Sequence, residues 1–222
     1  MSAEFFYRKL LIALCAVALF FTAIPCVYAG IISHAESVDI ATDFYFLVSD
    51  DVQVEAGAEF ARLEGGAGYL LEHGKGEYVA LSVYFDKADG LAVQNRLEED
   101  TLLLHKGVKR LYFKGKTKKK STLYVHAIRT FEGYISVLNE CISRLEKGMT
   151  QESCKRLLKL LERQFKHAQT VFGGYEAFQK VCAESQKELA DICEETVYLK
   201  DLRYLLCWQA EKYVELCAAF AL

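Results

Sequence analysis

The sequence predicts an α+β protein in three parts: a single N-terminal transmembrane helix, a small β-α-β-β-α-β domain, and an all-α helical bundle. Three observations carry this reading. They are an uncharged run from Leu10 to Ile32, strand-like and helix-like segments alternating between Asp43 and Phe113, and helical periodicity almost unbroken after Ser121. With 222 residues, 52% hydrophobic content and one Pro, the chain can bury one ordinary core or two small ones. The formal charge of −3 lacks the excess of Lys and Arg that phosphate neutralisation demands, so a nucleic-acid binder is excluded.

Arg8 and Lys9 precede the apolar run, and Glu36 and Asp39 follow it. A spanning helix needs about 20 apolar residues, whereas a cleaved signal peptide has an apolar region of about 7–15, so length favours an uncleaved anchor. The segment Val27-Tyr28-Ala29 before Gly30 is the opposing signal, because it offers small residues where a signal peptidase reads. Pro25 before Cys26 does not fit a lipobox. The basic flank sets residues 1–9 in the cytoplasm, residues 10–32 in a cell membrane, and the rest outside. Residues 33–42 read as a polar tether.

An α+β domain is predicted over 43–115. Phe44-Tyr45-Phe46-Leu47-Val48 is aromatic and β-branched enough to be a strand. Asp50 or Asp51 can cap a helix whose stripe is Val52, Ala56, Phe60 and Leu63, ended by Gly65-Gly66. Strands from Gly68 to Glu72 and from Tyr78 to Phe85 flank Gly74-Lys75-Gly76 and form a hairpin. Asp86 can cap a second helix with Ala88, Leu91, Ala92, Asn95 and Leu97 in one stripe, and Val108 to Phe113 is the last strand. Two split βαβ halves give an antiparallel sheet with both helices on one face and the other face open.

Several segments resemble the sporulation-related repeat (SPOR) domain of bacterial envelope proteins. They are Phe44-Tyr45-Phe46-Leu47-Val48, Ala58-Glu59-Phe60-Ala61-Arg62-Leu63, Gly66-Ala67-Gly68-Tyr69, Tyr78 through Phe85, and Lys87-Ala88-Asp89 leading to Asn95-Arg96-Leu97. The chain departs from the family pattern at Val48-Ser49-Asp50-Asp51, where members often carry Gln-x-Gly-x-Phe. The resemblance implies binding of peptidoglycan glycan strands on the helix-free sheet face, in cell division or sporulation. Sugars present apolar ring faces and hydroxyls, which suit aromatic side chains beside hydrogen-bonding groups. Strict alternation sends Val79, Leu81, Val83 and Phe85 toward the helices, and Tyr78, Ala80, Ser82 and Tyr84 to the open face. On the last strand it turns Arg110 and Tyr112 outward. Tyr78, Ser82, Tyr84, Arg110 and Tyr112 are therefore the candidate glycan contacts, with ordinary cross-strand packing as the alternative.

The basic stretch Lys114 to Lys120 reads as a solvated linker, its core at 116–120. The sharper alternative is contact with anionic lipid head groups or wall polymers. The helical domain, 121–222, shows one stripe through Leu123, Ile128, Phe131, Ile135, Leu138, Ile142 and Leu145. A second runs through Cys154, Leu157, Leu158, Leu161, Phe165, Ala168 and Phe172. Breaks are expected at Gly148, at Gly173-Gly174 and near Thr196, giving a bundle of three or four helices with Thr150 as a cap. Of eight cysteines, six lie in this part and none forms a C-x-x-C pair, so they read as small core residues with free thiols, disulfides being the alternative. No metal site or cofactor is expected.

Enzyme motifs are missing: no Gly-x-Ser-x-Gly, no phosphate-cradling glycine loop and no His-Glu-x-x-His occurs. The cluster Glu98-Glu99-Asp100 reads as a solvated helix end. Two functions are left. One is a non-catalytic envelope module that binds glycan through the sheet, with a possible protein partner for the helices. The other is a membrane-anchored interaction protein that acts through its bundle without glycan binding. An open sheet face favours the first, and a face buried under the bundle favours the second.

Overall fold

A computed structural model describes residues 37–49, 54–97, 101–112 and 118–221. The expected anchor at 10–32 and the helix-capping Asp50 and Asp51 lie outside the described residues. Among the described residues, no helix is long and apolar enough to cross a membrane. The architecture is α+β: a four-stranded antiparallel sheet followed by a mostly helical C-terminal half.

The strands are β1 (Ser37–Ser49), β2 (Tyr69–His73), β3 (Gly76–Tyr84) and β4 (Thr101–Tyr112), in the order β2-β3-β1-β4. Helix α1 (Val54–Leu63) follows β1 and α2 (Lys87–Gln94) follows β3, so the element order is the predicted β-α-β-β-α-β. His73 pairs with Gly76 across the tight β2–β3 turn, where Gly74 takes a φ of 64° that a side-chain-bearing residue rarely adopts. Asp86 caps α2 by accepting a hydrogen bond from the Ala88 N–H.

Three sequence expectations need correction. The strand begins at Ser37, so much of the supposed tether at 33–42 is sheet, because Ser37 to Asp39 find partners at Tyr112 to Arg110. β4 likewise starts at Thr101, well before Val108. The short helices also bury a different side from the predicted one. Ala61 of α1 is buried while Phe60 and Leu63 are exposed, and Gly90 of α2 is buried while Leu91 and Leu97 are exposed. Small residues face the sheet there because the helices lie close to it. A Cβ added at Gly90 would stand 2.8 Å from Leu103 Cδ1, and one at Gly57 would stand 3.5 Å from Val79 Cγ2.

Four helices complete the chain: α3 (Lys118–Glu146), α4 (Gln151–Val171), α5 (Glu176–Glu194) and α6 (Leu199–Ala221). The breaks fall where expected, with Gly148 at a φ of 93° and Thr150 capping α4 by accepting from the Ser153 N–H. The expected bundle of three or four helices thus has four. α6 lies on the sheet face opposite α1 and α2, so the protein has three layers. Phe44 of β1 meets Tyr213 of α6, Tyr213 stacks on Phe131 of α3, and Phe131 meets Phe165 of α4 and Phe178 of α5 edge to face. Buried residues of sheet and bundle accordingly form one continuous hydrophobic core.

Candidate functional site

The sheet face without α1 and α2 is sealed, not open. Phe44, Phe46, Val48, Leu71, Ala80 and Val83 are buried on it under the bundle. Polar groups on this face are matched as well. The Glu211 carboxylate on α6 accepts from the Tyr69 hydroxyl on β2 and from the Lys106 ammonium on β4. Further along, Thr42 Oγ1 donates to Glu132 at 2.8 Å and lies 3.1 Å from the Tyr213 hydroxyl. Burial raises the phenol pKa of both Tyr69 and Tyr213 far above the usual tyrosine value, and at Tyr69 the bond to Glu211 adds to it. These phenols stay neutral at any ordinary pH, so they act as fixed hydrogen-bonding groups and not as acids or bases.

The five predicted glycan contacts are consequently not brought together. The reason is a β-bulge. Ser82 pairs with Leu47 and Ala80 with Val48, which leaves Leu81 as an extra residue and reverses the alternation on either side of it. Tyr78 and Ala80 therefore share the sealed face with Val83 and Phe85, while Ser82 and Tyr84 lie on the α1/α2 face. Tyr78 is partly buried against the core. Tyr84 is half-buried beside Gly90, and burial raises its phenol pKa. Arg110 is exposed and ion-paired to Asp39 at 2.5 Å. Tyr112 pairs through its backbone with Ser37 at the far end of the sheet.

Two surface features stand out that the sequence reading missed. On the α1/α2 face, beyond α2, Tyr45 and His105 stack with ring centroids 5.1 Å apart and planes at 28°. His105 Nε2 is 2.7 Å from Asp43 Oδ1. Gly107 opposite Asp43 makes room for this pair, since a Cβ there would come within 2.9 Å of His105 Nε2. Tyr84 is the neighbour of Tyr45 on β3, so Tyr84, Tyr45 and His105 form a row across three strands. Alternation in β1 was the available signal, because Phe44, Phe46 and Val48 point to the core and Asp43 and Tyr45 to the other side.

The second feature is a groove of about 540 Å³ between α5 and α6, floored by Val181, Leu205, Trp208 and Leu216. Charged pairs line its rim, with Lys180 4.0 Å from Glu184 and Lys212 2.7 Å from Glu215. An apolar floor with a polar rim is the usual anatomy of a protein-binding surface.

Cysteine chemistry and metal chemistry find little purchase. Cys141, Cys154, Cys182, Cys193, Cys207 and Cys217 are free thiols, all buried. Burial pushes the Cys141 thiol up to about 11 and the Cys182 and Cys217 thiols up to about 12, which suppresses the reactive thiolate. Among the described residues, no group of three or more His, Cys, Asp or Glu is placed to hold a metal ion. No protein-family model matches the chain, and no curated protein or solved structure matches it at a significant level.

Proposed function

We propose that this chain is a non-catalytic, membrane-anchored protein of the bacterial cell envelope that works through protein contacts made by its helical bundle. The supporting observation is the sealed sheet face. The surface on which a SPOR-like domain would hold glycan here is the base on which α6 rests, through Phe44–Tyr213 and through Glu211 with Tyr69 and Lys106. Opening it would expose a core of fully buried aromatics and leave Glu211 without its partners.

In this reading the sheet orients the bundle relative to the anchor, and the groove floored by Trp208 is the surface offered to a partner. Trp208 is half-buried in this groove, and Trp is among the residue types enriched at binding hot spots. A photo-crosslinking residue at position 208, in cells, should trap a discrete protein adduct that the same residue at exposed Val171 does not give. No adduct at 208 above that control would count against the reading.

A second reading keeps peptidoglycan glycan strands as the ligand but moves them to the other sheet face. The Tyr45–His105 stack with Asp43, in which His105 is exposed and Tyr45 half-buried, favours it, since an aromatic plane beside hydrogen-bonding groups suits a sugar ring. Tyr45→Ala should then release the full chain from glycan strands stripped of their stem peptides. Retention of the variant at the wild-type level would sink this reading.

A further inference from the structure

We infer that the pocket between the start of β1 and the first turns of α3 takes the phosphate head group of an anionic phospholipid and seats the fold on the bilayer surface. This rests on the anchored reading given above. The pocket encloses about 250 Å³ and is lined by Val38, Ser121, Thr122, Val125, His126 and Arg129. Among the described residues its lining carries a guanidinium, an imidazole, two hydroxyl-bearing side chains and two valines, and no carboxylate.

Each part suits a phosphodiester carrying a glycerol. Guanidinium binds phosphate oxygens with two parallel hydrogen bonds, imidazole adds a further donor, and the valines suit the hydrocarbon portion. Thr122, His126 and Arg129 recur at helical spacing, so they present one exposed stripe of α3, with buried Ser121 deeper in the pocket. Arg129 takes part in none of the ion pairs among the described residues. Asp39, which follows Val38 in β1, is paired with Arg110, and Glu132, three positions along α3, accepts from Thr42 on β1. Among the described residues the Arg129 guanidinium is thus bridged to no carboxylate.

Position decides which anion. Val38 is the second residue of β1, and the apolar run ends six residues earlier at Ile32. Six residues span at most roughly 21 Å when fully extended. A head-group layer occupies about 5–8 Å beyond the hydrocarbon on each side of a bilayer. A chain anchored through Leu10 to Ile32 therefore carries this pocket within reach of the head groups, at a high effective concentration of lipid.

The test uses the full-length chain reconstituted into vesicles of phosphatidylcholine alone or mixed with phosphatidylglycerol. Each preparation holds a trace of the matching lipid with a photoactivatable head group. Flotation reports anchoring, and peptide mapping reports labelling of residues 121–129. The expected result is flotation with both vesicles and on the order of fivefold more labelling by the phosphatidylglycerol probe. Arg129→Gln and His126→Gln should each reduce labelling toward the phosphatidylcholine level with unchanged circular dichroism, both side chains being exposed. Flotation with equal labelling by both probes, or labelling that survives both substitutions, overturns the inference alone. Loss of the label on adding inorganic phosphate would assign the pocket to a free anion and overturn the lipid source. Failure to float would overturn the anchored reading and this inference with it.

Discussion

The ring of Phe44 on the central strand and the ring of Tyr213 on the C-terminal helix meet edge to face, with centroids 5.5 Å apart and planes at 75°. Phe44 is also in edge-to-face contact with Phe85, and Tyr213 stacks on Phe131. Both residues are fully buried. Through this pair the sheet and the bundle share one core, and neither buries its apolar face without the other.

Shared burial predicts shared unfolding. Tyr213→Ala should cost about 3–5 kcal/mol, the usual range for emptying a buried aromatic site. It should lower the melting temperature read at helix and strand signals alike. Two separate transitions, with the sheet melting independently of the bundle, would contradict the common core. Phe44→Leu and Tyr213→Leu together should show a coupling of about 0.5–1.5 kcal/mol in a double-mutant cycle.

Gly68 is a local test of how α1 sits on the sheet. Its φ is 59°, and a Cβ there would lie 2.5 Å from Arg62 Cγ and closer still to the Ala58 carbonyl oxygen. Gly68→Ala should therefore destabilise the protein by more than about 1 kcal/mol in denaturant titration, since backbone cannot yield as a flexible side chain does. Gly133→Ala, where nothing lies within 4 Å, should be neutral or stabilising in the same assay.

Alkaline pH should unfold the protein early. Burial raises the pKa of Tyr69 and Tyr213 and pushes the thiols of Cys141, Cys182 and Cys217 up to about 11, 12 and 12. In the unfolded chain the thiols ionise near 9.0 and the phenols near 10.0. Between those values and the raised folded ones, the unfolded state binds fewer protons, so stability falls as pH rises. These groups impose no slope below about pH 8; above about pH 9 each thiol, and above about pH 10 each phenol, costs about 1.4 kcal/mol per pH unit until its folded-state pKa is reached. Urea titrations at pH 7, 9 and 10.5 check this, and constant stability over that range would refute the buried, neutral state of these groups.

Burial of the thiols makes a further prediction for labelling. A bulky maleimide added to the native protein should leave Cys141, Cys154, Cys182, Cys193, Cys207 and Cys217 unmodified, and modification should follow denaturation. Rapid native labelling of any of the six would show that the bundle opens there.

Element order was legible in the sequence because it is written in local signals. Asp86 and Thr150 announced helix starts, Gly74 and Gly148 announced turns, and the 3.6-residue stripes of the bundle were long enough to read. Facing was harder. One bulged residue, Leu81, inverted the sides of Tyr78 and Tyr84, and a bulge leaves no mark in a sequence of consecutive β-formers. In α1 and α2 the apolar stripe misled, because glycine and alanine mark a close approach while Phe60 and Leu63 stay outside. The sealing of the sheet by α6 is a long-range event, joining Tyr69 to Glu211 across 142 residues, and periodicity within one helix cannot say which neighbour it covers.

The central claim is that the sheet face used by a SPOR-like glycan site is closed in this protein. Co-sedimentation of the full chain with peptidoglycan stripped of its stem peptides tests it most directly, comparing wild type with a Lys106→Cys, Glu211→Cys variant whose two new thiols are joined by a reducible bis-maleimide, so that α6 is tied to β4. The account predicts that the crosslink leaves any sedimentation unchanged, since the face is closed already. Strong binding by the wild type and by the uncrosslinked variant that the crosslink abolishes and its reduction restores would show that α6 lifts from the sheet to admit glycan, and would contradict the account.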